Sequence, residues 1–217
     1  MLYLPFSFII FILFIFLLPF LFFLIQFGII GAVSTKLGFP ISVGILIYFL
    51  SLLGSTINIP LSKKPVETGD EYDEFLGRFF GFPKRMKYQI IAVNVGGCII
   101  PVLLSLYFFQ FVPLLRVIIG IGIMAIITYF LARPVKGIGI AIPALIPPIL
   151  CVILTLILAP GNPAFAYVCG VLGVLIGADV LHLKDLRGVN RAGVMSIGGA
   201  GVFDGIFLVG IISVLLA

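Results

Sequence analysis

Long apolar segments dominate this chain and restrict its fold more than any other feature. The first runs from Leu2 to Val33, too long for a signal peptide, and the first 35 residues contain no charged side chain. Of all 217 residues, 62% are hydrophobic and only 10% are charged. A soluble domain of this size does not have so apolar a composition. The sequence therefore predicts a single integral membrane domain over residues 1–217.

Seven apolar segments are each long enough to cross about 30 Å of hydrocarbon. Alternation typical of strands is absent, and in lipid a helix satisfies its backbone polar groups within its own segment. The predicted fold class is an all-α polytopic membrane bundle of about seven transmembrane helices. Their expected positions are residues 5–33, 39–60, 90–112, 114–132, 137–159, 163–183 and 194–216.

Basic residues are unequally divided between the two sets of connections. One set holds only Lys36 and Arg116, and the other holds the remaining eleven of the 13 Lys and Arg residues. The positive-inside rule then predicts a cytoplasmic N-terminus and an outside C-terminus. We expect a multi-pass protein of a prokaryotic inner (cell) membrane, with loop 61–89 in the cytoplasm and its segment 73–87 lying on the membrane surface.

The net charge of +5 is interpreted as attraction to anionic membrane lipids and not to nucleic acid. The chain has one histidine, and its three cysteines all lie in apolar runs. A zinc site is therefore not expected. No cofactor and no metal are predicted.

Only two carboxylates lie within the apolar segments, Asp179 and Asp204, and they occupy consecutive predicted spans. A charged side chain at the bilayer centre costs at least about 2.5–3.5 kcal/mol, so its default interpretation is functional. Two aspartates that share a proton can activate a water and protonate a peptide carbonyl. The other six acidic residues lie in polar connections: Glu67, Asp70, Glu71, Asp73, Glu74 and Asp185.

Glycines surround both aspartates. Gly170, Gly173 and Gly177 share one face of span six, and such faces let helices approach closely. Asp204 lies thirteen residues past Arg191, or about 20 Å along an unbroken helix, so the carboxylates meet only if span seven begins late or is unwound. The run 198–201 weakens a helix there, and an opened backbone could pair with an extended peptide.

The sequence around the two aspartates resembles the presenilin and signal peptide peptidase group, the GxGD-type intramembrane aspartyl proteases. That group has one aspartate on a span entering the cytoplasm and a second, in a glycine-rich motif, on the next span. It also has a Pro-Ala-Leu motif, matched here by Pro143-Ala144-Leu145, and its second-aspartate segment is similar to the run 201–210. The Pro-Ala-Leu motif precedes both aspartates here and follows them in that group, so the motif order is permuted.

The resemblance covers residues 140–214 and implies an aspartyl endopeptidase that cleaves transmembrane peptide substrates. Asp179 and Asp204 would be the catalytic pair. His182, one turn after Asp179, is a candidate for tuning that carboxylate, although a histidine there is more often an interfacial residue. The residues implied in substrate binding are Pro143, Ala144, Leu145, Gly199 and Gly201. The whole chain is also expected to belong to a prokaryotic membrane protein family without an assigned activity.

Two other functions remain open on the sequence. The same aspartates are compatible with a proton- or cation-coupled transporter, because the segments 55–60 and 94–97 are interrupted like discontinuous transporter helices. Asn58 and Asn94 are more simply explained as hydrogen-bonding residues between helices. A non-catalytic membrane protein that binds helices is the third possibility.

Overall fold

The computed structural model describes residues 6–66, 87–135, 139–183, 193–199 and 205–217, and most of these are helical. The helices are α1 Phe6–Lys36, α2 Ile41–Gly54, α3 Val95–Phe111, α4 Leu114–Leu131, α5 Ile146–Leu158, α6 Pro163–Val180 and α7 Gly205–Leu216. The strands are β1 Asn58–Val66, β2 Lys87–Asn94, β3 Arg133–Val135, β4 Gly139–Ala141 and β5 Gly193–Ile197.

The helices follow the order of the predicted spans. Three are long and apolar enough to cross a membrane: Phe11–Lys36 within α1, then α4 and α6. The other four are apolar but shorter, with 14 residues in α2, 13 in α5 and 12 in α7. A full span needs about 20 residues, so the three longer helices are the ones that support a membrane protein.

The predicted all-α class needs correction at the ends of four predicted spans, where the chain forms strands. Residues 58–60, 90–94, 139–141 and 194–197 belong to β1, β2, β4 and β5. Pro60 and Pro143 lack the N–H that a continuing helix requires, and the run 89–93 is rich in β-branched residues. Paired strands satisfy the backbone groups there instead.

The larger sheet has the order β1-β2-β5. Strand β1 runs antiparallel to β2 with an irregularity between Pro60 and Ser62, and β5 runs parallel to β2. A second pair, β3 and β4, is antiparallel. The predicted surface segment 73–87 lies outside the described residues except for Lys87.

Asparagine and proline residues fix where several helices begin. Asn94 and Asn162 cap α3 and α6 by accepting the N–H groups of Gly97 and Phe165, at 2.7 and 2.9 Å. Such side chains satisfy N–H groups that have no partner within the helix. Pro163 occupies the first turn of α6, where its missing N–H costs nothing.

Residues up to Tyr48 form one unit, described by α1 and the first part of α2. The two helices form a hairpin whose turn contains Gly38, with φ +79°. Gly44 leaves room for the Ser34 side chain, which donates a 2.6 Å hydrogen bond to the Ile30 carbonyl. A larger residue at position 44 would collide with Ser34.

The second unit, from Phe49 onward, is organised around α6. Of α6, 61% is buried, against 28% of α4, so α6 is the more central helix. Its glycines do not form a single contact face for span seven as predicted. Gly173 and Gly177 face α4, where Thr128 donates a 3.1 Å hydrogen bond to the Gly173 carbonyl, while Gly170 faces Val209 of α7.

A methyl group added at Gly177 should destabilise the bundle. It would collide with the backbone of Ala125, whose carbonyl carbon would lie 2.9 Å away. Overpacking of this kind costs about 1–3 kcal/mol, so thermal unfolding in detergent should show a lower midpoint for Gly177→Ala.

The matched control for this change is Gly122→Ala in α4. Nothing lies within 4 Å of a methyl group at Gly122. Alanine at an open helical position is neutral or stabilising by up to about 1 kcal/mol. Equal midpoints for the two variants would contradict the close α4–α6 contact.

Candidate functional site

Asp179 lies in the last turn of α6, where the helix widens from α to π geometry over Leu175–Val180. Its side chain is half-buried, and its Oδ2 atom accepts a 2.7 Å hydrogen bond from the backbone N–H of Gly198. Single π-helical turns occur frequently at functional sites. The structure thus connects the candidate carboxylate of α6 to the residue that follows β5.

His182 supports the same turn from its C-terminal side. Its imidazole is buried, contacts the Gly177 carbonyl through Nδ1 at 3.1 Å, and stacks on the Tyr129 ring with centroids 4.6 Å apart. Because a carbonyl only accepts, this contact requires the proton on Nδ1. These contacts make His182 a packing and capping residue at the end of α6.

A second π-helical turn, Val95–Ile99, begins α3 and lies against Gly198. A methyl group on Gly97 would collide with the Gly198 carbonyl oxygen, so the two backbones touch. Gly198 also lies against Cys98, whose Cβ would be 2.6 Å from a methyl group at position 198. The Gly198 peptide is therefore held between two π-helical turns, one from α3 and one from α6.

Gly198 and Gly199 both adopt the left-handed backbone conformation, with φ +84° and +66°. Other residues rarely adopt it, so glycine is required where β5 leaves the sheet. The described part of α7 is Gly205–Leu216. Residues 193–199 of the predicted seventh span form strand β5 and two left-handed glycines, so no continuous helix runs through them.

The other catalytic and substrate-binding residues implied by the resemblance divide into three groups. Pro143, Ala144 and Leu145 are exposed and lie between β4 and α5. Gly199 lies next to the Gly198 contact with Asp179. Asp204 and Gly201 lie outside the described residues.

The Pro-Ala-Leu segment nevertheless lies near the start of α7. Ile142, the residue before Pro143, is 3.0 Å from where a methyl group on Gly205 would sit. Gly205 is bonded to Asp204 in the chain. Helix α7 also approaches the first turn of α3. The first turn of α3 and the last turn of α6 therefore both contact Gly198, and the segment before α5 contacts the start of α7.

The predicted site omitted the α3 turn. Asn94, Gly97 and Cys98 border the Asp179–Gly198 contact, whereas the sequence predicts only an interruption at 94–97 and a hydrogen-bonding role for Asn94. An asparagine immediately before an apolar run is a helix-start signal. Nothing in the sequence pairs that start with Gly198, about a hundred residues later. Within the described ranges, no three His, Cys, Asp or Glu side chains come together as metal ligands would.

Removal of the Asp179 carboxylate should release the Gly198 amide. Asp179→Ala leaves this N–H without its acceptor, and a hydrogen bond to a charged group contributes about 1.5–3 kcal/mol. We expect amide hydrogen exchange of residues 193–199, measured by mass spectrometry, to accelerate by about tenfold or more.

Asp179→Asn is the conservative comparison, because its amide oxygen can still accept the N–H. Asp185→Ala removes a carboxylate that lies in a polar connection and should leave the exchange unchanged. An exchange rate in Asp179→Ala equal to that of the natural protein would refute the assigned hydrogen bond.

Comparison with known proteins gives a family and no activity. A family model described as "Protein of unknown function (DUF1614)" matches residues 52–216, which include all five strands, α3 to α7 and both aspartates. Searches of the curated proteins and of the solved structures found no match. The expectation of a family without an assigned activity agrees with this result. Because the match covers most of its length, this chain belongs to the DUF1614 family.

Proposed function

We propose that this protein is an intramembrane aspartyl protease with Asp179 and Asp204 as its catalytic pair. The observation that carries the proposal is the hydrogen bond from Gly198 to Asp179. It connects the aspartate of α6 to the glycine-rich segment that leads, six residues later, to the second aspartate. A chain of that length spans at most about 20 Å, which limits how far Asp204 can lie from Gly198.

Contacts between α6 and α7 restrict the position of Asp204 from its C-terminal side. A methyl group on Gly210 would lie 3.1 Å from the Tyr167 ring, and Gly170 faces Val209. The last turn of α6 and the first turn of α7 are therefore parts of helices in direct contact. Both restrictions support the proposed pairing of the carboxylates.

In the proposed reaction, ionised Asp179 takes a proton from water as the water oxygen attacks the scissile carbonyl carbon. Asp204, initially protonated, donates its proton to the carbonyl oxygen. Asp179 then protonates the amide nitrogen and Asp204 recovers a proton from the gem-diol as the C–N bond breaks. The products are an acid and an amine, and both aspartates return to their starting forms. Asp179 is assigned the ionised role because it already accepts an N–H.

The sheet offers a way to hold the substrate backbone. Strand β5 pairs with β2 along one edge, and no strand pairs with its other edge among the residues that the structure describes. An extended peptide added there would be led toward the glycine-rich segment. The exposed Pro143, Ala144 and Leu145 are the proposed contacts for its side chains.

Coupled transport by the same aspartates is a second proposal, favoured by one observation. The polar breaks 55–60 and 94–97 lie side by side, because Asn58 pairs with Asn94 across β1 and β2. Against it, the Asn94 side chain is fully buried and engaged with Ser55, Asn58 and Gly97. It therefore fits a structural role better than an ion ligand. Proton- or sodium-driven uptake into liposomes that depends on Asp204 would favour transport.

Cleavage by the purified protein tests the protease directly. Single-span peptide substrates in detergent should be cut, and a transition-state inhibitor of aspartyl proteases should block the cut. Asp179→Ala and Asp204→Ala should each lower the rate by at least about a thousandfold, because paired catalytic residues act as a unit.

Asp185→Asn is the matched control for the cleavage assay and should retain full activity. Unchanged cleavage by either active-pair variant would disprove the assignment. Failure of the natural protein to cut any substrate, together with helix binding that survives both substitutions, would favour the non-catalytic function.

The proposed seven-span topology is supported by charge at the two ends of the bundle. Lys63, Lys64 and Arg133 lie at the end where the strands are, and Arg116 lies at the other, where it donates to the Leu158 carbonyl. By the positive-inside rule, this distribution supports a cytoplasmic location for the sheet and for the Asp179 end of α6.

Reporter fusions test the topology. Alkaline phosphatase, active only outside the cytoplasm, should be active when fused after Ala217 and inactive when inserted in loop 61–89. The reverse pattern would invert the proposed orientation, and activity at both sites would exclude an odd number of spans after that loop.

A further inference from the structure

Asn94 is fully buried and joins three segments of the chain. Its Nδ2 group donates to the Ser55 carbonyl at 2.7 Å and to Asn58 Oδ1 at 3.2 Å. Its Oδ1 atom accepts the Gly97 N–H at 2.7 Å. One side chain therefore fixes the end of α2, the start of β1 and the first turn of α3 relative to each other.

The same turn of α3 continues toward Asp179. Gly97, held by Asn94, packs directly on the carbonyl of Gly198, and the N–H of Gly198 donates to the Asp179 carboxylate. The carbonyl and the N–H of Gly198 are thus both constrained, one from α3 and one from α6. A displacement of the α3 turn would move the backbone of Gly198 and, with it, the N–H group that donates to Asp179.

We infer that Asn94 is a positioning residue for Asp179, which acts through the contact between Gly97 and Gly198. A buried asparagine at a helix start could also serve that helix alone. The two roles affect different parts of the structure. A simple cap stabilises only α3, whereas a positioning residue also controls the Gly198–Asp179 hydrogen bond. The inference rests on the proposed function only for its catalytic consequence.

The chain provides a matched control in Asn162. It caps α6 in the same way, by accepting the Phe165 N–H, and it donates to the Phe111 carbonyl at 3.3 Å. It belongs to the turn that joins α5 and α6, at the far end of α6 from Asp179. Asn94→Ala and Asn162→Ala therefore each remove a cap together with hydrogen bonds to other segments, two at Asn94 and one at Asn162, and only Asn94 adjoins the Gly97–Gly198 contact.

Amide hydrogen exchange of residues 193–199 separates the two roles without any enzymatic assay. Asn94→Ala should accelerate it by about tenfold, the usual effect of one lost cap interaction, while Asn162→Ala should leave it unchanged. Asn94→Ser, which keeps an oxygen acceptor at the cap, should restore slow exchange. Equal exchange in the two alanine variants would overturn the inference.

A double-mutant cycle checks the route of the effect. If Asn94 acts through the Gly198–Asp179 hydrogen bond, Asn94→Ala should accelerate exchange no further in an Asp179→Ala protein. Simple additivity of the two effects would mean that Asn94 stabilises this region by another route and would overturn the inference.

Should Asn94→Ala fail to fold, Gly97→Ala tests the same contact, with Gly122→Ala as the control. A methyl group at Gly97 displaces the Gly198 carbonyl, whereas one at Gly122 meets open space. Faster exchange of residues 193–199 in Gly97→Ala alone is expected, and no difference between the two would refute the contact.

Catalysis, where it is found, gives an independent measurement. Asn94→Ala should lower kcat about tenfold with little change in KM, since it misplaces a catalytic group without touching substrate, and Asn162→Ala should change neither. An unchanged kcat in Asn94→Ala would overturn the positioning role. If no cleavage is detected even in the natural protein, the proposed function fails, while the exchange experiments still decide the role of Asn94.

Discussion

Close backbone contact around α6 is the constraint on which the rest of the second unit depends. Apolar side chains gain little by leaving lipid for a protein interior, so membrane helices associate through close packing and interhelical hydrogen bonds. Gly173 and Gly177 allow α4 to approach within reach of the Thr128 hydrogen bond, and Gly170 admits Val209 of α7. A side chain larger than hydrogen at these positions would separate the helices whose ends form the candidate site.

The candidate site arises where this packing ends and regular helix geometry stops. α6 closes with a π-helical turn at Asp179, α3 opens with another at Gly97, and β5 inserts the Gly198 peptide between them. Each departure from regular geometry would leave backbone groups without partners in a low-dielectric environment. Here Asp179 and Asn94 supply side-chain partners, which explains why polar residues are present among apolar segments at this point.

Much of the architecture was predictable from the pattern of residues. The apolar runs indicated the order of the helices, and the aspartate-pair hypothesis called for an interruption in span seven, where residues 193–199 form β5 and two left-handed glycines. The sheet was not predictable in this way, because segments such as 89–94 are apolar enough to be read as part of a span. Their strand conformation depends on pairing partners that are distant in sequence, β1 and β5 for β2.

The sequence by itself determined that this is an apolar, mostly helical chain with two exceptional aspartates, because those properties depend on composition and local spacing. Only the tertiary structure decided which glycines face which helices, and that Asp179 and Gly97 both meet Gly198. Such contacts join residues up to about a hundred positions apart in the chain. They depend on the summed packing of several helices, which no local pattern encodes.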